Sequence, residues 1–144
     1  MKRFFGNESG VGGVEFALIA PLLSMFLLGI VSSWSYYRDL GYMRDGVEAG
    51  AKYYLQGGSD DATAQAIASK AWAEKPDNGK VTVTRMCTCA DTSVSCDGSS
   101  ICSDGSVPQI EVGIVATMTW STGLSDMLYS NGVLLTQSET IRVR

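Results

Sequence analysis

Gly10-Val11-Gly12-Gly13-Val14-Glu15-Phe16-Ala17-Leu18-Ile19-Ala20-Pro21-Leu22-Leu23 opens the stretch around which the chain is organised. The apolar run continues to Val31, and no charged residue occurs over residues 16–36. Those 21 residues rise about 31 Å as a helix, against a hydrocarbon core of about 30 Å. The segment is therefore long and apolar enough to cross a bilayer. Glu15 stands at its mouth. An acidic or basic side chain costs roughly 3 kcal/mol at the bilayer centre and less near the edge. Glu15 thus requires a cationic partner, and the helix offers none within a turn or two. Pro21 removes the amide bond to residue 17 and is expected to bend or loosen the helix. Ser24 and Gly29 are small enough to admit a close helix neighbour, unless a monomeric anchor merely tolerates them.

Composition narrows the classes. The chain has 144 residues, room for one membrane helix and one small domain outside it. A net charge of -4 and a pI near 4.7 argue against nucleic-acid binding, which calls for clustered Lys and Arg. The absence of His removes Ser-His-Asp and Cys-His catalysis and every His-ligated zinc site. No Ser, Asp or Cys has an evident base, so no enzymatic activity, catalytic residue or cofactor is expected. Lys2 and Arg3 precede the span, whereas Arg38, Arg44 and Lys52 follow it among Asp39, Asp45 and Glu48. The positive-inside rule counts cations and not net charge, so this bias is small. The cysteines support a cytoplasmic leader and an exported C-terminal part.

The opening resembles the processing site of class III signal sequences, specifically that of the TadE-like pseudopilins of the tight-adherence (Tad, or Flp) pilus. The likeness rests on Gly10, the four residues after it, and Glu15-Phe16; Val14 to Leu23 extends it. It covers residues 6–55 well and the remainder loosely. The resemblance implies that a prepilin peptidase cuts between Gly10 and Val11. Cleavage would create an α-amine, with an ordinary pKa of about 8, at Val11. Glu15 could pair with that amine in its own or a neighbouring subunit, supplying the missing cation. Residues 1–10 become a cleaved leader, 11–36 a transmembrane and assembly helix, and 37–144 a periplasmic or extracellular pilin-like domain. The implied partners are the peptidase, other pilin subunits and an inner-membrane assembly platform. Two alternatives stand beside it. One is a secretory signal cleaved after Val31-Ser32-Ser33, although the apolar run exceeds an ordinary h-region and contains Pro21. The other is an uncleaved signal-anchor.

Beyond the span the helix is expected to continue. Tyr36, Leu40, Met43, Val47, Ala51 and Tyr54 form a helical stripe, and Glu48 and Lys52 stand in the favourable i, i+4 order. Gly46 and Gly50 each cost about 1 kcal/mol in a helix relative to Ala, which suggests close packing there. Unbroken from Val11 to Tyr54, such a helix would be about 66 Å long. Gly57-Gly58 ends it. Ser59-Asp60-Asp61 caps a second helix through Glu74, stopped by Pro76, with Ala64, Ile67, Ala68, Ala71 and Trp72 as its apolar face. After the 76–79 turn the period becomes two. Val81 and Val83 alternate with Thr82 and Thr84, and Ile110, Val112, Ile114, Ala116, Met118 and Trp120 give the clearest strand. Residues 134–143 offer a third. Residues 121–132, with Leu124, Met127, Leu128, Tyr129 and Asn131, read as a connection with a short helical turn. The expected fold is α+β: a long N-terminal helix, a second short helix, and a small antiparallel sheet of about three strands with a disulfide-rich loop.

Cys87, Cys89, Cys96 and Cys102 fall within 16 residues of a polar loop, which in an exported domain implies disulfides. Pairing 87–89 is disfavoured by its one-residue spacer. Nested pairing, 87–102 with 89–96, is preferred here over crossed, 87–96 with 89–102. Zinc is the alternative, but Cys-x-Cys is not the usual ligand spacing. Asp91, Asp97 and Asp104 match no EF-hand loop and read as solvated acids. The loop is either a recognition surface or a variable insertion. In function, a minor pilin of the initiation or tip complex is expected, because major pilins of the family are little more than a helix. The rival class is a bitopic envelope protein whose exported domain binds a ligand or partner.

Overall fold

The computed structural model describes residues 11–90, 92–96, 101–122 and 132–143. The expected leader with Gly10, Asp91, Asp97, and the expected connection carrying Leu124, Met127, Leu128, Tyr129 and Asn131 lie outside them. Six elements follow in order: α1 (Val11–Leu55), α2 (Asp61–Ala71), β1 (Lys80–Cys89), β2 (Thr92–Val94), β3 (Gln109–Trp120) and β4 (Val133–Val143). The chain divides into two units, Met1–Tyr36 and Tyr37–Arg144.

In the first unit, α1 is apolar on every side. Phe16, Leu18, Leu22, Met25, Leu28 and Val31 are all exposed. The helix is continuous through Pro21. Ser24 donates its hydroxyl to the Ala20 carbonyl at 2.8 Å, which satisfies the hydroxyl within the helix itself.

In the second unit, the rest of α1 and all of α2 cover one face of an antiparallel sheet of order β2-β1-β3-β4. Met43, Val47, Ala51 and Tyr54 are buried, while Tyr36 (in the first unit) and Leu40 are half-buried. The reason is the stripe's helical period. The two glycines mark where α1 meets α2. A β-carbon on Gly46 would lie 2.8 Å from the Ala68 carbonyl, and one on Gly50 would meet Ala68 and the Ile114 side chain at 3.1 and 3.0 Å. With Ala64 and Ala68 opposite and fully buried, backbone approaches backbone. α1 ends in a Schellman arrangement: Gly57 has φ 92°, and the amides of Gly57 and Gly58 donate to the carbonyls of Tyr54 and Tyr53, each at 3.0 Å. The Glu48–Lys52 pair forms at 2.8 Å.

Asp60 caps α2 through the Thr63 amide at 2.7 Å; with the Thr63 hydroxyl, this holds the Asp60 carboxyl below its ordinary range. α2 is shorter than expected. It stops at Ala71, Trp72 turns into the core at 3% exposure, and Ala71 faces solvent. Glu74, the expected last helical residue, has φ 51°. The approach to Pro76 explains this in part, since Pro disfavours helical geometry in the residue before it.

β3 is the centre of the sheet. Val112, Ile114, Ala116 and Met118 are buried, and their register partners Val81 on β1 and Leu135 on β4 complete the core. The opposite face carries Thr82, Thr84, Thr136 and Thr140, all exposed. The sheet has four strands where about three were expected. The added strand is β2, three residues of Ser/Thr-rich sequence without alternation, held by pairing Cys87 with Val94 and Cys89 with Thr92.

Candidate functional site

Three features carry chemistry: the mouth of the apolar helix, the stapled hairpin, and a polar cluster at the far end of α1.

At the mouth, Val11 begins α1 and Glu15 lies one turn inside it. Glu15 and Phe16 are exposed, and none of the ion pairs among the described residues includes Glu15. Behind it, the helix meets the length and apolarity of a membrane span, with a mean hydropathy of 2.3 over its most apolar 18 residues and no buried residue among them. This makes α1 a candidate membrane span by length and composition.

In the hairpin, the cysteines pair as Cys87–Cys96 and Cys89–Cys102, with Cα separations of 5.4 and 5.6 Å. The pairing is crossed, which corrects the nested expectation, and the strand register supplies the reason. Cys89 sits beside the turn, opposite Thr92, whereas Cys87 sits opposite Val94. Cys96 is four residues beyond Thr92, about 13 Å of extended chain, while a disulfide tolerates less than about 7 Å between α-carbons. Only Cys87 is within its reach. Cys102 is then left for Cys89, and no cysteine is free. Ala90, in the turn, has φ 46°. The chain after Cys102 folds on itself: Cys102 donates its amide to Ser106 at 2.9 Å and Gly105 to Cys102 at 2.8 Å. Asp104 accepts from the Ser106 amide and hydroxyl at 2.9 and 2.7 Å. Those bonds hold its carboxyl below the ordinary range and commit it to the turn.

No protein-family model matches this chain, and no curated protein or solved structure matches it.

The third feature was not foreseen. Tyr54 donates its hydroxyl to Asp61, and Arg85 donates to the same carboxylate and to the Ser59 carbonyl at 2.8 Å. One carboxylate thus ties the end of α1, the start of α2 and β1. Arg85 stands in the inward series 81, 83, 85, 87 of β1. A cation interrupting an apolar alternation was the available clue; its partner, 24 residues away, was not readable. Gln65 adds a bond to the Val81 carbonyl at 2.7 Å. The cluster's chemistry is structural. Burial, then the bond to Asp61, push the Tyr54 phenol up to about 12, with Arg85 opposing. A phenol raised in the folded state favours folding below its unfolded value of about 10, and that contribution is lost as pH rises through the folded value. The Tyr54 phenol is therefore expected to stay protonated until about pH 12 in the folded protein, with unfolding favoured between about pH 10 and 12. Tyr54→Phe should lessen that alkaline loss. An unchanged profile would separate the cluster from alkaline stability.

Proposed function

We propose that the chain is a minor pilin, or pseudopilin, of a TadE-like kind: a structural subunit of a tight-adherence pilus, acting at initiation or at the tip. The reading is carried by one observation, a lone carboxylate five residues after Gly10 at the mouth of a helix apolar on all sides. Two further facts support it. The helix continues into the domain, where its glycines pack against α2. The domain is disulfide-stapled, as suits an oxidising compartment outside the cytoplasm.

In the mechanism, the precursor sits in the inner membrane as a single-pass protein with its leader in the cytoplasm and the domain in the periplasm. The prepilin peptidase removes residues 1–10. Residues 11–34 then leave lipid and pack against the apolar helices of other subunits. One apolar environment replaces another, so the transfer avoids exposing that surface to water. The Glu15 carboxylate finds the Val11 amine of its own or a neighbouring subunit, and the pair fixes axial register.

Sequencing the N-terminus of native protein, with and without the peptidase, tests this. The expected mature chain begins at Val11 and depends on the peptidase. A chain beginning at Trp34 would mean an ordinary secretory signal. A retained leader with peptidase-independent mobility would mean a membrane tether with an exported binding domain.

A further inference from the structure

β4 is the open border of the sheet. Its ladder with β3 runs without a break from Val133 to Val143, and among the described residues no strand or backbone hydrogen bond lies on its other side. The opposite border is short and covered: β2 has three residues, and Gln65 caps the Val81 carbonyl of β1 at 2.7 Å. Exposed edges are usually blunted by Pro, Lys or a bulge. The 11 residues of β4 contain no Pro, no Lys and no bulge. Its charges are Glu139 and Arg142, and Arg142 is turned back onto Glu111 of β3 at 2.8 Å.

In an antiparallel ladder, successive residues aim their N–H and C=O alternately at one neighbour and at the other. On β1 the odd residues face away from β3, because Cys89 pairs with Thr92 across the turn and Val81 offers its carbonyl to Gln65. Val81 stands opposite Ala116, and Ala116 opposite Gln137. The odd residues of β4 therefore bond to β3, and Leu134, Thr136, Ser138, Thr140 and Arg142 aim theirs outward.

We propose that β4 pairs antiparallel with β4 of a second copy, about a two-fold axis at Ser138, joining two four-stranded sheets into one. Outward residues must meet outward residues, so the axis falls on a residue and not between two. Centred on Ser138, every residue of β4 finds a partner. Val133 faces the second copy's Val143, Leu135 its Ile141, Thr136 its Thr140, Gln137 its Glu139, and Ser138 meets itself. Leu134 faces the aliphatic stem of Arg142. Moving the axis to Gln137 sets Leu135 against Glu139, and moving it to Glu139 sets two like charges face to face, which is destabilising. Arg44 of α1 lines a groove with Gln137, Ser138 and Glu139, a cation beside the Glu139 carboxylates on either side of the axis. The inference concerns the unit Tyr37–Arg144 alone and rests neither on α1 being a membrane span nor on the chain being a pilin.

The test uses the purified full chain in detergent micelles, with single cysteines added on β4. Facing α-carbons of a bonded pair lie about 5.5 Å apart, inside the range of about 4.4–6.8 Å that a disulfide bridges. Ser138→Cys is expected to give a chain-to-chain disulfide on mild oxidation, located by peptide mass spectrometry, with both native bridges intact. Thr136→Cys alone should give about tenfold less, because its own counterpart lies four residues away, about 13 Å of strand. Mixed with the Thr140→Cys chain, it should link as well as Ser138→Cys does. In the unsubstituted chain, hydrogen exchange at the Thr136, Ser138 and Thr140 amides should slow about tenfold as concentration rises. Equal linking by Thr136→Cys alone overturns the register. Failure to link at Ser138, or exchange that ignores concentration, overturns the pairing. In cells making the Ser138→Cys chain, an adduct with a different polypeptide in place of the dimer overturns the second copy as occupant.

Discussion

Glu15→Ala is expected to leave the mature N-terminus at Val11 while cutting incorporation into filaments by one to two orders of magnitude. The estimate follows from what the substitution leaves behind. Without the carboxylate, the Val11 amine enters the apolar bundle unpaired. It escapes the cost of a buried charge by losing its proton, which for a group of pKa about 8 costs about 1.4 kcal/mol at pH 7. The neutral amine then lacks an acceptor, a further penalty of about 1–3 kcal/mol. Together these reach about 3 kcal/mol, or about 100-fold in an equilibrium. Blocking cleavage with a bulky residue at Gly10 should do more. The carboxylate would then have no amine to meet, and a buried charge stripped of its partner costs about 3–5 kcal/mol. Comparing sheared filaments with the membrane fraction measures the first effect, and N-terminal sequencing confirms that processing is intact. Normal filament content of a correctly cleaved Glu15→Ala chain would sink the pairing mechanism.

How much of this could be read from residues alone depended on the range of the signal. The α1 stripe and the β3 alternation were legible because period and burial are local properties of one element. Gly46 and Gly50 were legible as a cost that something had to offset, and Ala64, Ala68 and Ile114 are what they approach. Failures came where the answer lay in register. β2 has no apolar pattern because its pairing with β1 and the Cys87–Cys96 bridge, not a buried face, hold it. α2 was overextended because Trp72 looked like one more member of the helical face, whereas the chain leaves the helix there to seat the ring in the core. The Tyr54–Asp61–Arg85 cluster joins three elements, and no local window contains it. Glu15 stands out in the sequence as a lone carboxylate at the start of an apolar helix, and its role as a site is a proposal. Its partner was supplied by resemblance, and it stays a proposal.

The crossed pairing makes a prediction that a nested one reverses. Replacing Cys87 and Cys96 together by Ala should leave a folded chain with no free thiol, because Cys89 and Cys102 still face each other at 5.6 Å between α-carbons. Replacing Cys87 and Cys102 should leave two thiols that cannot meet without breaking the β1–β2 register, since Cys89 faces Thr92 at the turn and Cys96 lies beyond Val94. The energetics differ as well. Each bridge closes a short loop, with sequence separations of 9 and 13, and each contributes about 3 kcal/mol in the chain-entropy model. The first double variant loses one bridge and the second loses both. The second should therefore melt lower, and its hairpin amides should exchange faster because β2 has little besides the bridges to hold it. Cys87 and Cys102 are buried, so their replacement also removes packing at the sheet's end. Thiol counting on the denatured, unreduced variants decides the matter: two free thiols in the Cys87/Cys96 variant and none in the Cys87/Cys102 variant would restore the nested arrangement.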